Sequence, residues 1–247
     1  MLDTDNKSIA DIINAQGDSR YVIICEHASK HIPDSYQNLG LSDAQVSRHI
    51  GWDIGAQDVA LHLSNLLNAP LILQTRSRLL YDCNRPPSEA SAIPQRSEAT
   101  DIPGNLNLTA VEKEARAQDI YYPFHNSVRQ LLDNRQNNIE SIIVTIHSFN
   151  PIYNGSERHL DVGLINDLDP SWAHTLTSAA QHKSDLVFRQ NEPYSAADGV
   201  VHTLELHGRN RNLPNVMIEI KNNLIDSGPE QLKMASLLAQ LLQENTP

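Results

Sequence analysis

The hydrophobic pattern of this chain alternates between short apolar runs and longer amphipathic segments, which is typical of an α/β protein. The apolar runs are rich in β-branched residues and predict buried strands at 21–25, 71–74, 141–146, 160–165, 186–188 and 216–220. The amphipathic segments predict helices over 42–68 with a break at Gly51, 109–135 with a kink at Tyr122 caused by Pro123, 171–182 and 230–244. Residues 86–107 are polar and rich in proline, and predict a long loop.

The order of these elements predicts the fold class. A strand at 21–25, a helix and a strand at 71–74 follow one another, which indicates a parallel crossover. We therefore expect a three-layer α/β/α sandwich around a mixed, mostly parallel sheet. Since single α/β domains of 247 residues are common, we expect one domain over residues 1–247.

Composition and charge narrow the choice of partners. The net charge of −11 argues against nucleic acid, because phosphate binding needs clustered Lys and Arg. Residues Met1–Asp5 lack the pattern of a signal peptide, and no apolar stretch approaches the roughly 18 residues that span a bilayer, so we expect a cytoplasmic protein without a membrane partner. The two cysteines, Cys25 and Cys83, are predicted to be buried thiols. Any metal would then be bound by histidine and carboxylate.

Two histidines, His27 and His147, come directly after predicted strands, and the carboxyl ends of parallel strands share one edge of a sheet. A catalytic zinc commonly has three protein ligands and a water. Asp53, which opens the helix after the first strand, is the candidate third ligand, although it could be only an N-cap. Glu26 is the alternative, but neighbours on an extended chain point to opposite faces, so it could join His27 only if the strand has ended.

Further polar residues predict catalysis and substrate binding. Glu219 lies inside the apolar run 216–220, where an ionised group is costly without a partner or a task. It is the candidate general base, or else the partner of Lys221 or Arg209 in an ion pair. Asn84 and Arg85 precede two prolines and would present a fork suited to a carboxylate, which indicates a small acidic substrate. The alternative for a single arginine is a surface salt bridge.

An ordered set of segments at these positions resembles one known family. The segments are Cys25–Ser29, Gly51–Ala56, Ser77–Leu79, Asp82–Arg85, His147–Phe149, Tyr194–Gly199 and Ile218–Asn222. Over about residues 21–225 the chain resembles the N-formylglutamate amidohydrolase family, which is itself similar to the zinc carboxypeptidase fold. The resemblance implies a zinc-dependent hydrolase of linear amides that converts N-formyl-L-glutamate to formate and glutamate in histidine catabolism.

The resemblance also implies roles for individual residues, with one Zn²⁺ per chain. It assigns the metal ligands to His27, Asp53 and His147, the catalytic base to Glu219, the group that polarises the scissile carbonyl to Arg78, and the substrate contacts to Asn84, Arg85 and Tyr194. The carboxypeptidase pattern places its acidic ligand three residues after the first histidine, where this chain has Lys30. The second ligand therefore stays open between Asp53 and Glu26.

Other functions fit parts of the pattern. An N-acyl amino acid deacylase or a carboxypeptidase-like hydrolase of another substrate would use the same residues. A binding protein for acidic metabolites would retain the Asn84-Arg85 fork, but a buried carboxylate at Glu219 would repel its ligand. A cysteine hydrolase using Cys25 with His27 would need an environment that stabilises the thiolate, which the adjacent Glu26 opposes.

Overall fold

A computed structural model describes residues 8–247. In chain order its strands are β1 (Ala10–Ile13), β2 (Tyr21–Cys25), β3 (Leu71–Gln74), β4 (Arg96–Ser97), β5 (Thr100–Asp101), β6 (Ile142–Phe149), β7 (Ile152–Tyr153), β8 (Ser156–Glu157), β9 (Val162–Ile165), β10 (Phe188–Gln190) and β11 (Asn215–Lys221). Its α-helices are α1 (Asp43–Val46), α2 (Ala56–Leu67), α3 (Ala110–Arg116), α4 (Tyr122–Arg135), α5 (Ser171–Ala180) and α6 (Gly228–Glu244).

Seven of these strands form one sheet in the order β1-β3-β2-β6-β11-β9-β10. The four central strands β3, β2, β6 and β11 run parallel to one another. Outside these four strands, β1 pairs antiparallel with β3, β9 pairs antiparallel with β11, and the edge strand β10 pairs parallel with β9. The predicted mixed, mostly parallel sheet is therefore confirmed, and helix α2 connects the parallel neighbours β2 and β3.

Both faces of the sheet are covered by apolar side chains. On one face, Ile23 of β2 belongs to a buried cluster with residues of α2, α5 and α6. On the other face, the next residue, Ile24, belongs to a second cluster that includes Phe124 and Val128 of α4. Successive residues of one strand thus serve opposite layers, because side chains alternate across a sheet. This arrangement confirms the three-layer α/β/α sandwich.

The helix predicted over 42–68 is interrupted more widely than Gly51 alone suggests. A capping box between Ser42 and Gln45 begins the single turn α1, and the regular helix α2 begins only at Ala56. Between them the backbone amide of Asp53 donates to the carbonyl of His27, at 2.9 Å. Gly55 has a φ of 79°, a left-handed conformation that favours glycine. This non-helical turn brings Asp53 over the end of β2.

The segment 109–135 follows its prediction closely. Thr109 and Glu112 form a capping box at the start of α3, where the predicted helix begins. A π-helical turn over Ala117–Tyr121 then joins α3 to α4, which begins at Tyr122 with Pro123 in its first turn. Proline lacks a backbone N–H, so the regular hydrogen-bond pattern changes just before it.

Strand β6 is longer than predicted and continues through Phe149, which pairs with Lys221 of β11. His147 therefore lies within a strand, where the sequence placed it after one. The loop 86–107 contains the hairpin of β4 and β5. Among the described residues no helix is long and apolar enough to cross a membrane. Met1–Asp5 lie outside the described residues, and the single-domain organisation stays a prediction.

Candidate active site

Three predicted ligands meet at one edge of the sheet. His27 follows β2, His147 lies in the neighbouring strand β6, and Asp53 reaches them from the turn before α2. The Oδ2 atom of Asp53 lies 3.2 Å from His27 Nδ1 and 3.0 Å from His147 Nδ1, and the two Nδ1 atoms are 3.2 Å apart. All three side chains are buried. One atom from each therefore faces a common point, as metal ligands do.

The outer nitrogens of both histidines face carboxylates. His27 Nε2 lies 2.8 Å from Asp82 Oδ1, and His147 Nε2 lies 3.1 Å from Glu26 Oε2. Carboxylates behind metal-binding histidines commonly fix the orientation of the ring. Glu26 is thus on the far side of the His147 ring from Asp53. The sequence assigned no role to Asp82, because only the fold brings it behind His27.

Arg78 connects two of these carboxylates. Its Nη1 donates to Asp53 Oδ1 at 3.2 Å, and its Nη2 donates to Asp82 Oδ2 at 2.9 Å. Asp53 Oδ2 stays directed at the histidines and accepts a hydrogen bond from the Ser148 amide at 3.3 Å. The N-cap of α2 is Gly55, so the alternative that Asp53 serves only as an N-cap is wrong. Arg78 is 26% exposed and reaches the cavity beside the centre.

The carboxylates favour positive charge at this centre. Burial and Arg78 lower the pKa of His27, but Asp82 and Asp53 outweigh them and raise it above its ordinary value. Burial also lowers the pKa of His147, yet Glu26 and Asp53 raise it well above the ordinary value. Conversely, although burial raises it, the pKa of Asp53 is held well below its usual range by His27 and His147. The same arrangement would stabilise a metal cation.

Glu219 lies beside the metal-binding candidates. It pairs in register with His147 across β11 and β6, and its Oε2 has no hydrogen-bond partner among the described residues. The predicted alternative, an ion pair with Lys221 or Arg209, is wrong: Lys221 donates to Asp161 at 2.9 Å, and Arg209 pairs with Asp167. Burial raises the pKa of Glu219 to about 8. A carboxyl group that exchanges its proton near neutral pH suits general acid-base catalysis.

One cavity of about 200 Å³ brings all the predicted site residues together. Its lining includes His27, Asp53, Arg78, Asn84, Arg85, His147, Tyr194 and Glu219. The alternative ligand Glu26 is not among the lining residues. Sequence reasoning missed His49, which also lines the cavity and whose pKa burial lowers to about 4. In the sequence His49 is a single histidine within the predicted helix 42–68, and nothing around it indicates that it faces the site.

Two of the predicted substrate contacts, Asn84 and Arg85, form hydrogen bonds with backbone groups. Asn84 Nδ2 donates to Val200 O at 2.5 Å, and Asn84 Oδ1 accepts from the Thr203 amide at 3.0 Å. Arg85 Nη1 donates to Gly199 O at 2.6 Å. In the described part of the chain Arg85 forms no ion pair with a carboxylate, so the alternative of a surface salt bridge is wrong. Its positive charge stays available to a ligand in the cavity.

Cys25 does not fit the role of a nucleophile. Its side chain is fully buried, and this burial, together with Asp53 and Glu26, raises the pKa of the thiol well above its ordinary value. The reactive thiolate is therefore disfavoured. The structure gives no support to a cysteine hydrolase.

The fold and the site together define an α/β protein with a buried histidine-carboxylate centre able to hold a metal ion. The chain belongs to the N-formylglutamate amidohydrolase family, whose family model matches residues 19–225. Membership confirms the resemblance found in the sequence and makes the protein a hydrolase that acts on amides.

The chain is also similar to several solved structures. A gene product of Agrobacterium tumefaciens is 42% identical, with a TM-score of 0.94 over 97% of this chain and 95% of that one. An N-formylglutamate amidohydrolase from Ralstonia eutropha is 15% identical and shares the fold, with a TM-score of 0.70 over 97% of this chain and 98% of that one. A metallo-carboxypeptidase from Burkholderia cenocepacia is more distant, at 10% identity and a TM-score of 0.40 over 97% and 65%. None of the curated proteins matches the chain significantly.

Proposed function

We propose that this protein is a zinc-dependent amidohydrolase that cleaves the amide of an N-formyl or N-acyl acidic amino acid, with N-formyl-L-glutamate as the principal substrate. The observation that carries the proposal is the single cavity in which the ligand candidates, Glu219, and the cationic residues Arg78 and Arg85 meet. The small volume of about 200 Å³ favours a small acyl group such as formyl. Membership of the family supports the same substrate.

The donor atoms fit one divalent metal ion per chain. His27, Asp53 and His147 are the proposed ligands, because two imidazoles and one carboxylate are a usual donor set for catalytic zinc. Glu26 and Asp82 are the proposed outer partners that orient the two rings. A bound zinc would polarise the scissile carbonyl and lower the pKa of a water molecule.

Glu219 is the proposed general base and acid. Hydrolysis joins the water oxygen to the acyl carbon and breaks the carbon-nitrogen bond. Glu219 would accept a proton from the attacking water and deliver it to the departing nitrogen, so that the amino acid leaves as a neutral amine. Its pKa, raised by burial, allows transfer in both directions near neutral pH.

The arginines would position the substrate. Arg78 is fixed by Asp53 and Asp82, so its exposed edge can donate to the scissile carbonyl without reorganising. Arg85, anchored by backbone carbonyls, would bind the carboxylate of the amino acid beside Asn84 and Tyr194. We further propose a cytoplasmic protein acting on small molecules in histidine catabolism; the acidic net charge supports the absence of a nucleic-acid partner.

The proposal is tested by metal analysis and a substrate panel. Protein purified without chelator should contain one zinc per chain, lose activity on chelation and regain it with Zn²⁺. The panel comprises formyl, acetyl and succinyl derivatives of glutamate and aspartate, and N-formyl-L-glutamate should give the highest kcat/KM. Failure of the zinc-loaded protein to hydrolyse any of these amides would overturn the proposed function.

Arg85→Ala tests the proposed carboxylate contact. We expect a raised KM for acidic substrates and also a lower kcat wherever the contact orients the amide, with little effect on a neutral amide analogue. Arg85→Lys should restore little activity, because an ammonium lacks the bidentate fork. Equal losses on acidic and neutral substrates would show that Arg85 has a structural role only.

A further inference from the structure

A wider cavity adjoins the catalytic one, and we call it the annexe. Its volume is about 760 Å³, against about 200 Å³ for the catalytic cavity. The two cavities share the wall residues Arg85, Tyr153, Tyr194 and Val200. The annexe therefore lies next to the catalytic cavity, on the side of Arg85 and Tyr194.

Arg158 lines the annexe inside a cage of aromatic rings. Its guanidinium carbon lies 5.4 Å from the ring centroid of Phe149, 4.7 Å from that of Tyr153 and 4.8 Å from that of Tyr194. Its Nη2 also donates to the Tyr194 hydroxyl at 3.0 Å, and its Nη1 to Asn150 O at 3.4 Å. Rings and neutral oxygens orient a cation but leave its charge in place.

No carboxylate of the described chain neutralises this cation. Glu157, Glu192 and Asp198 also line the annexe, but none forms an ion pair with Arg158. Asp198 instead accepts from the backbone amide and hydroxyl of Ser195, at 2.8 and 3.1 Å. A partly buried guanidinium that is oriented but not neutralised is a preformed receptor for an anion, because little ordering remains to be done when the anion binds.

We propose that Arg158 is a specificity residue that binds a second anionic group of the substrate, namely the side-chain carboxylate of the acidic amino acid, while Arg85 binds the other carboxylate. The inference rests on the proposed function and adds the reason for an acidic side chain. Tyr194 forms part of the wall shared by the two cavities and accepts a hydrogen bond from Arg158. Arg85 lines both cavities and Arg158 lines the annexe, so a dicarboxylate substrate with its amide at the catalytic centre would reach Arg158 by extending past Arg85 and Tyr194.

The decisive variant is Arg158→Gln, assayed on N-formyl-L-glutamate and on N-formyl-L-glutamine, which has nearly the same size but a neutral side chain. Loss of a charged hydrogen bond should lower kcat/KM for the glutamate substrate by about 10- to 100-fold, mainly through KM. The glutamine substrate should change by less than about 3-fold, since its binding uses no charge at Arg158. A loss that is equal for both substrates, or absent for both, would overturn the proposal.

Arg189→Gln is the matched control. Arg189 is an exposed arginine of the same annexe and has no aromatic cage, so its removal changes the net charge equally. Its effect should stay below about 3-fold on either substrate. Arg158→Lys should recover only part of the preference for glutamate, because lysine keeps the charge but not the planar fork. If Arg189→Gln lowers kcat/KM for the glutamate substrate as much as Arg158→Gln does, the effect is a general consequence of net charge, and the proposal is overturned.

A binding measurement separates this inference from the proposed function. If the zinc-loaded wild-type protein turns over no N-acyl amino acid, the proposed function fails, and calorimetry with L-glutamate and L-glutamine still tests Arg158. The inference holds if the wild-type protein prefers L-glutamate and Arg158→Gln loses that preference. It fails if the wild-type protein shows no preference or no binding, or if the variant keeps the preference.

Discussion

The pKa values of two groups of buried histidines in this protein are shifted in opposite directions. His27 and His147 at the catalytic centre have raised pKa values. The ring of His125 in α4 packs against the rings of His202 and His207, and burial lowers the pKa values of the three residues to about 4, 4 and 2, respectively. Side chains of one chemical type, all largely removed from water, therefore favour opposite charge states.

The neighbours explain the difference. His125 Nε2 lies 2.8 Å from Cys83 O, His125 Nδ1 lies 2.9 Å from His207 Nε2, and the Tyr121 hydroxyl lies 2.7 Å from His202 Nε2. These partners carry no negative charge, so burial dominates and keeps the rings neutral. At the catalytic centre, carboxylates contact both rings and outweigh burial. A cluster of histidines alone thus does not indicate a cation site in this fold; surrounding carboxylates do.

The largest effect is expected when a histidine side chain is removed from each of the two groups. His27→Ala and His147→Ala should each abolish zinc retention and activity while leaving a folded protein. Both side chains are proposed to bind the metal ion, and neither packs in the hydrophobic core. His207→Gln removes an equally buried ring and should retain one zinc per chain. Metal analysis and circular dichroism of the three purified variants provide the measurement. Normal zinc content in His27→Ala or His147→Ala would contradict the site.

Glu219 differs from Asp53 and Asp82 at the same centre, because burial raises its pKa whereas theirs are lowered. Glu219→Gln should keep zinc content and KM but lower kcat by about 10²- to 10⁴-fold, the usual contribution of general acid-base catalysis. Steady-state kinetics with N-formyl-L-glutamate measure kcat and KM of the variant. A rise in KM comparable to the loss in kcat would instead assign Glu219 to substrate binding.

The carboxylates around the two histidines should contribute unequally to zinc affinity. Asp53→Asn removes a proposed ligand and should weaken zinc affinity more than Glu26→Gln or Asp82→Asn, which remove outer partners worth about 10- to 100-fold. Competition titrations with a chromophoric chelator give the three affinities. If Glu26→Gln proves the most damaging, Glu26 and not Asp53 is the second ligand.

The smallest expected effect is the acid sensitivity of the second group. In the unfolded chain a histidine has a pKa near 6.5, so between that value and about 4 the unfolded state of His125 and His207 binds more protons than the folded state. Stability contributed by these neutral rings is therefore lost as the pH falls below 6.5. His207→Gln should reduce this loss by at most about 1.4 kcal/mol per pH unit.

Urea unfolding of the metal-stripped wild-type protein and His207→Gln at pH 5 and pH 7 tests this expectation. At pH 7 the variant should be the less stable of the two, since it loses the contact with His125. An unchanged difference in unfolding free energy between the two pH values would show that His207 does not titrate as its surroundings indicate.

Local sequence determined much of this fold and site. The β-branched runs fixed β2, β3 and β11 within one residue, because a strand covered on both faces needs an apolar side chain at nearly every position. The placement of His27 and His147 directly after such runs predicted that the two imidazoles would meet, since parallel strands present their carboxyl ends at one edge. The cavity that gathers the predicted residues agrees with that reasoning.

Tertiary structure alone decided the rest. The length of β6 depends on its pairing with β11, and that register, not the local sequence, sets His147 beside Glu219. Glu26 is adjacent to His27 in the chain, yet it faces the ring of His147, whereas Asp82, 55 residues away, faces the ring of His27. Arg158 carries no sequence signal, because its cage is built from Phe149, Tyr153 and the distant Tyr194. The sequence thus determined which groups reach this edge of the sheet, whereas distances between residues far apart in the chain determined their partners and charges.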